Sequence, residues 1–306
     1  MGLLVVGSVA LDNIETPQEK RTDLVGGSAT YFAAAAALAG VPARMVGVVG
    51  DDFPQDALDT LRALGADTSG VARVPGETFH WSGRYHEDPN LRDTLDTRLG
   101  VFAEFSPELP EAYRDSATVF LANIDPPLQL NVLEQTVGPR FVALDTMNFW
   151  IEGKPDELKQ VLARVDALLI NDSEACELSG ERSLVAAATA IRAMGPSTLV
   201  IKLGQHGAML FREDGLFSVP ALPLERVVDP TGAGDSFAGG YVAALHGIEQ
   251  PTADDHRRAM VVGSAVASFT VEGFGVEGLL AADRPDLERR IERFVDMTRI
   301  PTPVLH

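Results

Sequence analysis

The run Asp229-Pro230-Thr231-Gly232-Ala233-Gly234-Asp235 holds the densest set of chemically useful residues in this 306-residue chain. It follows an apolar pair, Val227-Val228, and leads into an amphipathic helical pattern through Phe237, Ala238, Tyr241, Val242 and Leu245. Two glycines at a helix start remove Cβ atoms, so backbone N–H groups can close on a phosphate. First-turn amides have no intrahelical acceptor, and the helix dipole favours an anion beside them. Asp235 then stands where a carboxylate could take the proton of an attacking hydroxyl. Phosphoryl transfer asks for positioning and charge stabilisation more than for a strong base, so a carboxylate suffices. The alternative is a loop ended by glycines, with Asp235 as a favourable first-turn acid.

Other groups admit two readings each. Asn171-Asp172-Ser173-Glu174 follows a strand pattern and opens a helix, as a capping box does. The same amide and carboxylate can offer oxygen, through water, to a hard Mg²⁺ ion, and both readings can hold together. Lys202-Leu203-Gly204-Gln205-His206-Gly207 follows a buried strand, and its glycines either admit phosphates or make a hairpin turn. Asp12, past the first strand, is a ligand carboxylate or a turn former, and Gly26-Gly27 precedes the first long helix. There is no Gly-x-x-x-x-Gly-Lys-Ser/Thr, and Phe237 stands where a dinucleotide fingerprint needs its third glycine. The six histidines show no metal-ligand spacing.

These groups need a frame. Apolar runs at Leu3-Val6, Met45-Val49, Thr118-Leu121, Phe141-Leu144, Ala167-Ile170 and Leu199-Leu203 read as buried parallel strands. Helical patterns lie between them, at Thr30-Ala39, Pro54-Leu64, Pro127-Val137, Pro155-Val165 and Leu184-Met194, and two more follow near Gly234-His246 and Asp254-Thr270. The alternation predicts one α/β domain over residues 1–306, a doubly wound, mostly parallel sheet flanked by helices. Its ligands would bind beyond the carboxyl ends of the strands. Two segments break the rhythm and predict a small β flap or lid: about 13–25, polar and loop-like, and about 74–105. In the latter Phe79, Trp81, Gly83 and Tyr85 share one face, and Leu99, Val101, Ala103 and Phe105 another. Two-sided flap strands suggest pairing between subunits, hence a homodimer through the lid. Pro301-His306 reads as loose.

The formal net charge of −19 argues against nucleic acid and anionic membrane surfaces as partners. Phosphate binding in such a chain must be local, by amides, helix N-termini and a few placed cations. A single thiol, Cys176, excludes an intrachain disulfide and fits a reducing cytoplasm. The opening Met1-Gly2-Leu3-Leu4-Val5-Val6 reads as a strand rather than a signal peptide, and Val6 stands where N-myristoylation wants Ser or Thr.

The seven-residue run resembles the C-terminal signature of the ribokinase or PfkB-type carbohydrate kinases, and further motifs in the family's order extend the resemblance over nearly the whole chain. It implies an ATP-dependent kinase that phosphorylates a hydroxyl of a small molecule. Asp235 becomes the base, the Gly232, Ala233 and Gly234 amides the anion hole, and Asp229 a holder of a monovalent cation such as K⁺. Asp12, Gly26 and Gly27 become substrate contacts, with Tyr31 beside them. Asn171 and Glu174 order Mg²⁺ and its waters, while Lys202, Gly204, Gly207 and Thr231 fall on the ATP side, with Phe274-Gly275-Val276 near the adenine. Two departures bear on the substrate: the family usually carries asparagine where Tyr31 stands, and often arginine near Asp145-Thr146-Met147-Asn148, where Phe149-Trp150 follows. Tyr31, Trp81, Tyr85 and Trp150 could stack on a base or sugar, or serve as core or interface aromatics. The acceptor is therefore a sugar or sugar-like alcohol, or alternatively a nucleoside. A non-catalytic binding protein on the same scaffold is the reading from another class.

Overall fold

The computed structural model of the chain describes residues 2–88 and 91–299, so Pro301-His306 lie outside it. In chain order the strands are β1 (Leu3–Val6), β2 (Ala10–Glu15), β3 (Lys20–Gly26), β4 (Ala43–Val49), β5 (Asp67–Arg73), β6 (Phe79–Tyr85), β7 (Arg92–Arg98), β8 (Thr118–Leu121), β9 (Phe141–Asp145), β10 (Ala167–Asn171), β11 (Thr198–Lys202), β12 (Ala208–Arg212) and β13 (Gly215–Val219). The large sheet runs β13-β12-β11-β10-β9-β8-β1-β4-β5. Every pairing from β5 across to β11 is parallel, and the β11–β12 and β12–β13 pairs are antiparallel. The Val/Ile/Leu runs form the inner strands because helices cover both faces: β1, β8 and β10 are buried almost throughout, with one large apolar cluster on each side of the sheet. Sequence order reverses at β1, flanked by β4 and β8, and a sheet of this kind leaves its ligand crevice at the carboxyl ends beside such a reversal.

The alanine run belongs to the helix Ser28–Leu38, whose small side chains let neighbours come close. A Cβ at Gly239, in the helix Ala233–Leu245, would press on Phe32 O, and one at Gly240 would press on Gly263 and Val266. This backbone-to-backbone packing fixes the helix that carries Asp235 relative to the one that follows the diglycine.

A second sheet, β3-β2-β6-β7, forms the lid. Two expectations need correction here. Residues 13–25 are largely strand, completing β2 and forming β3; β3 exposes Lys20, Thr22 and Asp23, which hides its period from a hydrophobicity reading. Residues 99–105 are not a strand: Gly100–Glu104 is a 3₁₀ turn. Gly100 takes φ +50°, and a Cβ there would strike Glu77 O, so the chain turns where alternation suggested extension. Phe102 stacks between Phe79 and Phe105 at that turn. The fourth lid strand is instead β7, exposed along its length.

Candidate active site

The crevice is built from the turn after β1. Ser8 Oγ accepts from Ser28 N–H (3.0 Å) and Ser8 N–H donates to Ser28 Oγ (3.2 Å), which fastens this turn to the helix start. Both glycines of the diglycine are required. A Cβ at Gly26 would land on Asp12 Oδ2, and Gly27, at φ +93°, lies against the Ser8 carbonyl and Ala10 N–H. Asp12 is 4% exposed. Burial first, then the charges of Asp229 and Asp235, push its carboxyl up to about 8 against the pull of the Gly27 N–H. At neutral pH such a carboxyl keeps its proton, so it can donate as well as accept a hydrogen bond.

The glycine loop faces it. Gly232 is left-handed, φ +73°, and caps the helix Ala233–Leu245. The Tyr31 ring lies where a Gly232 side chain would be. Tyr31 is itself buried, and its hydroxyl finds no hydrogen-bond partner among the described residues. Ala233 N–H turns back to Pro230 O (3.2 Å), whereas the N–H groups of Gly232 and Gly234 have no backbone acceptor among the described residues. Asp229 is fully buried and pins the loop: its oxygens accept from Thr231 N–H (2.9 Å) and Gly275 N–H (3.3 Å).

Beneath the loop lie three carboxylates and one ammonium. Lys202 Nζ donates to Asp145 Oδ2 at 2.9 Å and packs 3.2 Å from the position a Gly234 Cβ would take. Burial alone would lower the lysine pKa, but Asp145, Glu174 and Asp235 outweigh it and the pKa is raised. Asp235 is pushed up to about 7 by burial and by Asp145, with Lys202 opposing. Glu174 is pushed up to about 7 by burial, again with Lys202 opposing and Asp145 adding. Asp145, at the carboxyl end of β9, was not among the expected site residues; an acid ending a buried parallel strand was the available signal.

Asn171 and Glu174 do form a capping box: Asn171 Oδ1 accepts from Glu174 N–H (2.8 Å) and Glu174 Oε2 from Asn171 N–H (3.1 Å). No three metal-ligating side chains converge to hold an ion among the described residues. The donor set still fits Mg²⁺, because a surplus of half-neutralised carboxylates beside one ammonium calls for a cation carried in by phosphates and water. Gly204 and Gly207 make the β11–β12 hairpin, Leu203 N–H donating to Gly207 O (2.8 Å), and a Gly207 Cβ would strike Val219 O. Phe274 packs under the lid with Ile14, Leu24 and Tyr85. Trp150 donates to Asn123 Oδ1 (2.9 Å), and Trp81 lies on the lid.

Residues 133–281 match the pfkB family of carbohydrate kinases. The chain is 34% identical over 250 residues to the cytidine kinase of Thermococcus kodakarensis, a match covering 79% of this chain and 88% of that one. It belongs to the pfkB family. The protein is thus an ATP-dependent small-molecule kinase with the ribokinase-like fold. This kinase is also 28% identical to the aminoimidazole riboside kinase of Salmonella typhimurium, over 79% of this chain and 80% of that one. The solved structure of Burkholderia thailandensis nucleoside kinase in complex with inosine superposes with a TM-score of 0.77 at 25% identity, over 95% of this chain and 97% of that one. No helix of this kinase, among the described residues, is long and apolar enough to cross a membrane.

Proposed function

We propose that this kinase works in the cytoplasm and phosphorylates a hydroxyl of a nucleoside, with Asp235 as the base. The observation that carries the choice of acceptor is the lid face that holds Asp12: Asp12 pairs in register with Trp81, and Tyr85 stands two pleats further along the same face. A buried carboxylate suits sugar hydroxyls, and an adjoining aromatic face suits a base. The 34% relative is a cytidine kinase, which points the same way.

In this reading Asp12 holds the sugar hydroxyls, and the Gly232 and Gly234 amides at the helix N-terminus take the phosphoryl oxygens. Asp235 accepts the proton as the acceptor oxygen bonds to the γ-phosphorus, and the bond to the β–γ bridging oxygen breaks to release ADP. Lys202 keeps the surrounding acids compatible with an incoming tetra-anion. Mg²⁺, when bound, neutralises phosphate charge, and Glu174 orients one of its waters.

An ADP-release assay over cytidine, inosine, ribose and fructose tests the acceptor. Turnover with the nucleosides at kcat/KM about tenfold or more above the free sugars is expected. Activity confined to the sugars would return the sugar reading. Running the assay in KCl and in tetramethylammonium chloride reads any cation role of Asp229. Leu95, on outer strand β7, and Leu99, just past its end, are about half exposed, 48% and 47%, so pairing of two lids would cover them. Light scattering at micromolar concentration should give a dimer, and a monomer would remove that part.

A further inference from the structure

The lid and the glycine loop both rest on one turn, residues 274–277. Asp12 and Leu24 are register partners across β2 and β3, as are Ile14 and Arg21, so all four share one face of the lid. Phe274 packs into that face against Ile14, Leu24 and Tyr85, and is 4% exposed. The Arg21 guanidinium lies over the Phe274 ring, 5.3 Å from its centroid, and Arg21 Nη2 donates to Glu277 Oε1 at 3.0 Å. That ion pair is exposed and worth little alone, but it aims the guanidinium at the ring. A lid side chain thus grips both ends of the turn, which Glu277 N–H closes onto Phe274 O at 3.1 Å. Gly275 has φ +55°, and a Cβ there would stand 3.1 Å from Val25 O, one residue before the diglycine. The same turn holds the glycine loop. Gly275 N–H donates to Asp229 Oδ2 at 3.3 Å, and Asp229 Oδ1 accepts from Thr231 N–H at 2.9 Å. Asp229 is fully buried, where hydrogen bonds are strong and costly to break.

We infer that Phe274 is a positioning residue that couples acceptor binding to phosphate binding, a role that rests on the acceptor and phosphate sites proposed above. An acceptor held by Asp12 seats the lid face on Phe274. The seated turn presents Gly275 N–H to Asp229, and Asp229 fixes Thr231 just ahead of the Gly232 and Gly234 amides. Coupling of this kind is reciprocal, so the nucleotide must tighten the acceptor by the factor with which the acceptor tightens the nucleotide. The lid has one further tie to the loop, the hydrogen bond from Thr231 Oγ1 to Tyr85 Oη at 3.1 Å. It is a single contact between two hydroxyls. The turn combines apolar burial, a cation over a ring and a backbone seated on Val25, and so it carries the larger share.

Calorimetry tests this with Mg²⁺, ADP and whichever of cytidine, inosine and ribose turns over fastest, each ligand titrated alone and against the other at saturation. In the wild type each ligand should tighten the other about tenfold. In Phe274→Ala that factor should fall below about twofold. It is a ratio, so any direct loss of nucleotide or acceptor affinity cancels, and a merely structural role would not move it. Arg21→Ala should lower the factor severalfold while each ligand alone binds within about threefold of wild type. In the double variant Arg21→Ala should add nothing to Phe274→Ala, as for two residues acting through one contact. Tyr85→Phe, which removes only the hydroxyl tie, should keep most of the coupling. A wild-type factor in Phe274→Ala overturns the inference, and so does loss of coupling in Tyr85→Phe with Phe274→Ala intact. A wild-type protein that turns over with no coupling overturns it as well. If the wild type releases no ADP with any acceptor, the kinase chemistry of the site fails and the coupling falls with it, a result distinct from turnover without coupling. Should Phe274→Ala not fold, Phe274→Leu, which keeps the cluster filled but removes the ring under Arg21, carries the comparison with Arg21→Ala, and both should lower the factor severalfold.

Discussion

Asp235→Asn should lower kcat by about 10²–10⁴-fold, the usual size of a general-base contribution, while the protein keeps its fold and binds ATP at least as tightly. The variant retains the shape of the side chain and the helix start at Ala233, so the first-turn amides stay in place. On the proposed mechanism, what goes is the acceptor for the substrate proton, together with one negative charge beside the γ-phosphate. The fold works against that charge, since burial and Asp145 push the Asp235 carboxyl up to about 7. The sign follows from linkage. A carboxyl raised from 3.8 to about 7 contributes stability that is full below the unfolded value and lost as pH climbs through the folded one. Asparagine removes that loss, so the unliganded variant should be the more stable protein at pH 8 and gain little at pH 4. Steady-state kinetics, ATP calorimetry and denaturant titration at both pH values check the three parts. A kcat within about threefold of the parent would mean that Asp235 is not the base.

The same site explains which parts of the molecule could be read from sequence. The glycine loop was legible because its requirement is local: two missing side chains, a left-handed residue and a helix start lie within a few positions. The inner strands were legible because burial on both faces writes itself as unbroken runs of Val, Ile and Leu, as in Leu168-Leu169-Ile170. Strands β3 and β7 were not, because exposed lid strands carry no such pattern, and Gly100 turned an apparently alternating stretch into a 3₁₀ turn. Strand β5, with its mixed burial, escaped for the same reason. Asp145 and Lys202 lie 57 positions apart and meet only because β9, β10 and β11 are adjacent and parallel. Pairing of that kind belongs to topology and leaves no trace in spacing. Tyr31 is the instructive middle case. Its position beside the diglycine was visible, but its role as a ring packed on Gly232 required the two helices to be brought together.

Lys202→Met should destabilise the unliganded kinase by on the order of 3 kcal/mol, the usual result of removing one partner from a buried ion pair. The loss should depend on pH with a definite sign. In the parent one ammonium serves Asp145, Glu174 and Asp235, and it lowers the pKa of the last two against burial. Without it their pKa values rise above about 7. Their contribution to stability, full below the unfolded values of 4.5 and 3.8, is then lost over a wider span as pH rises. The penalty should be small near pH 4, where the acids can hold protons, and largest above pH 8, where the fold must bury carboxylates with no cation. Denaturant titrations at pH 4.5, 6.5 and 8.5 would measure it, and an equal loss at all three would show that methionine merely packs poorly. Adding Mg²⁺ and ADP at pH 8.5 should return part of the stability, since the bound nucleotide brings its cation to the same acids. Catalysis should not return with it: methionine cannot hold Asp145 at 2.9 Å or offer a positive charge beneath Gly234, so the phosphoryl group would enter a site whose acids repel it.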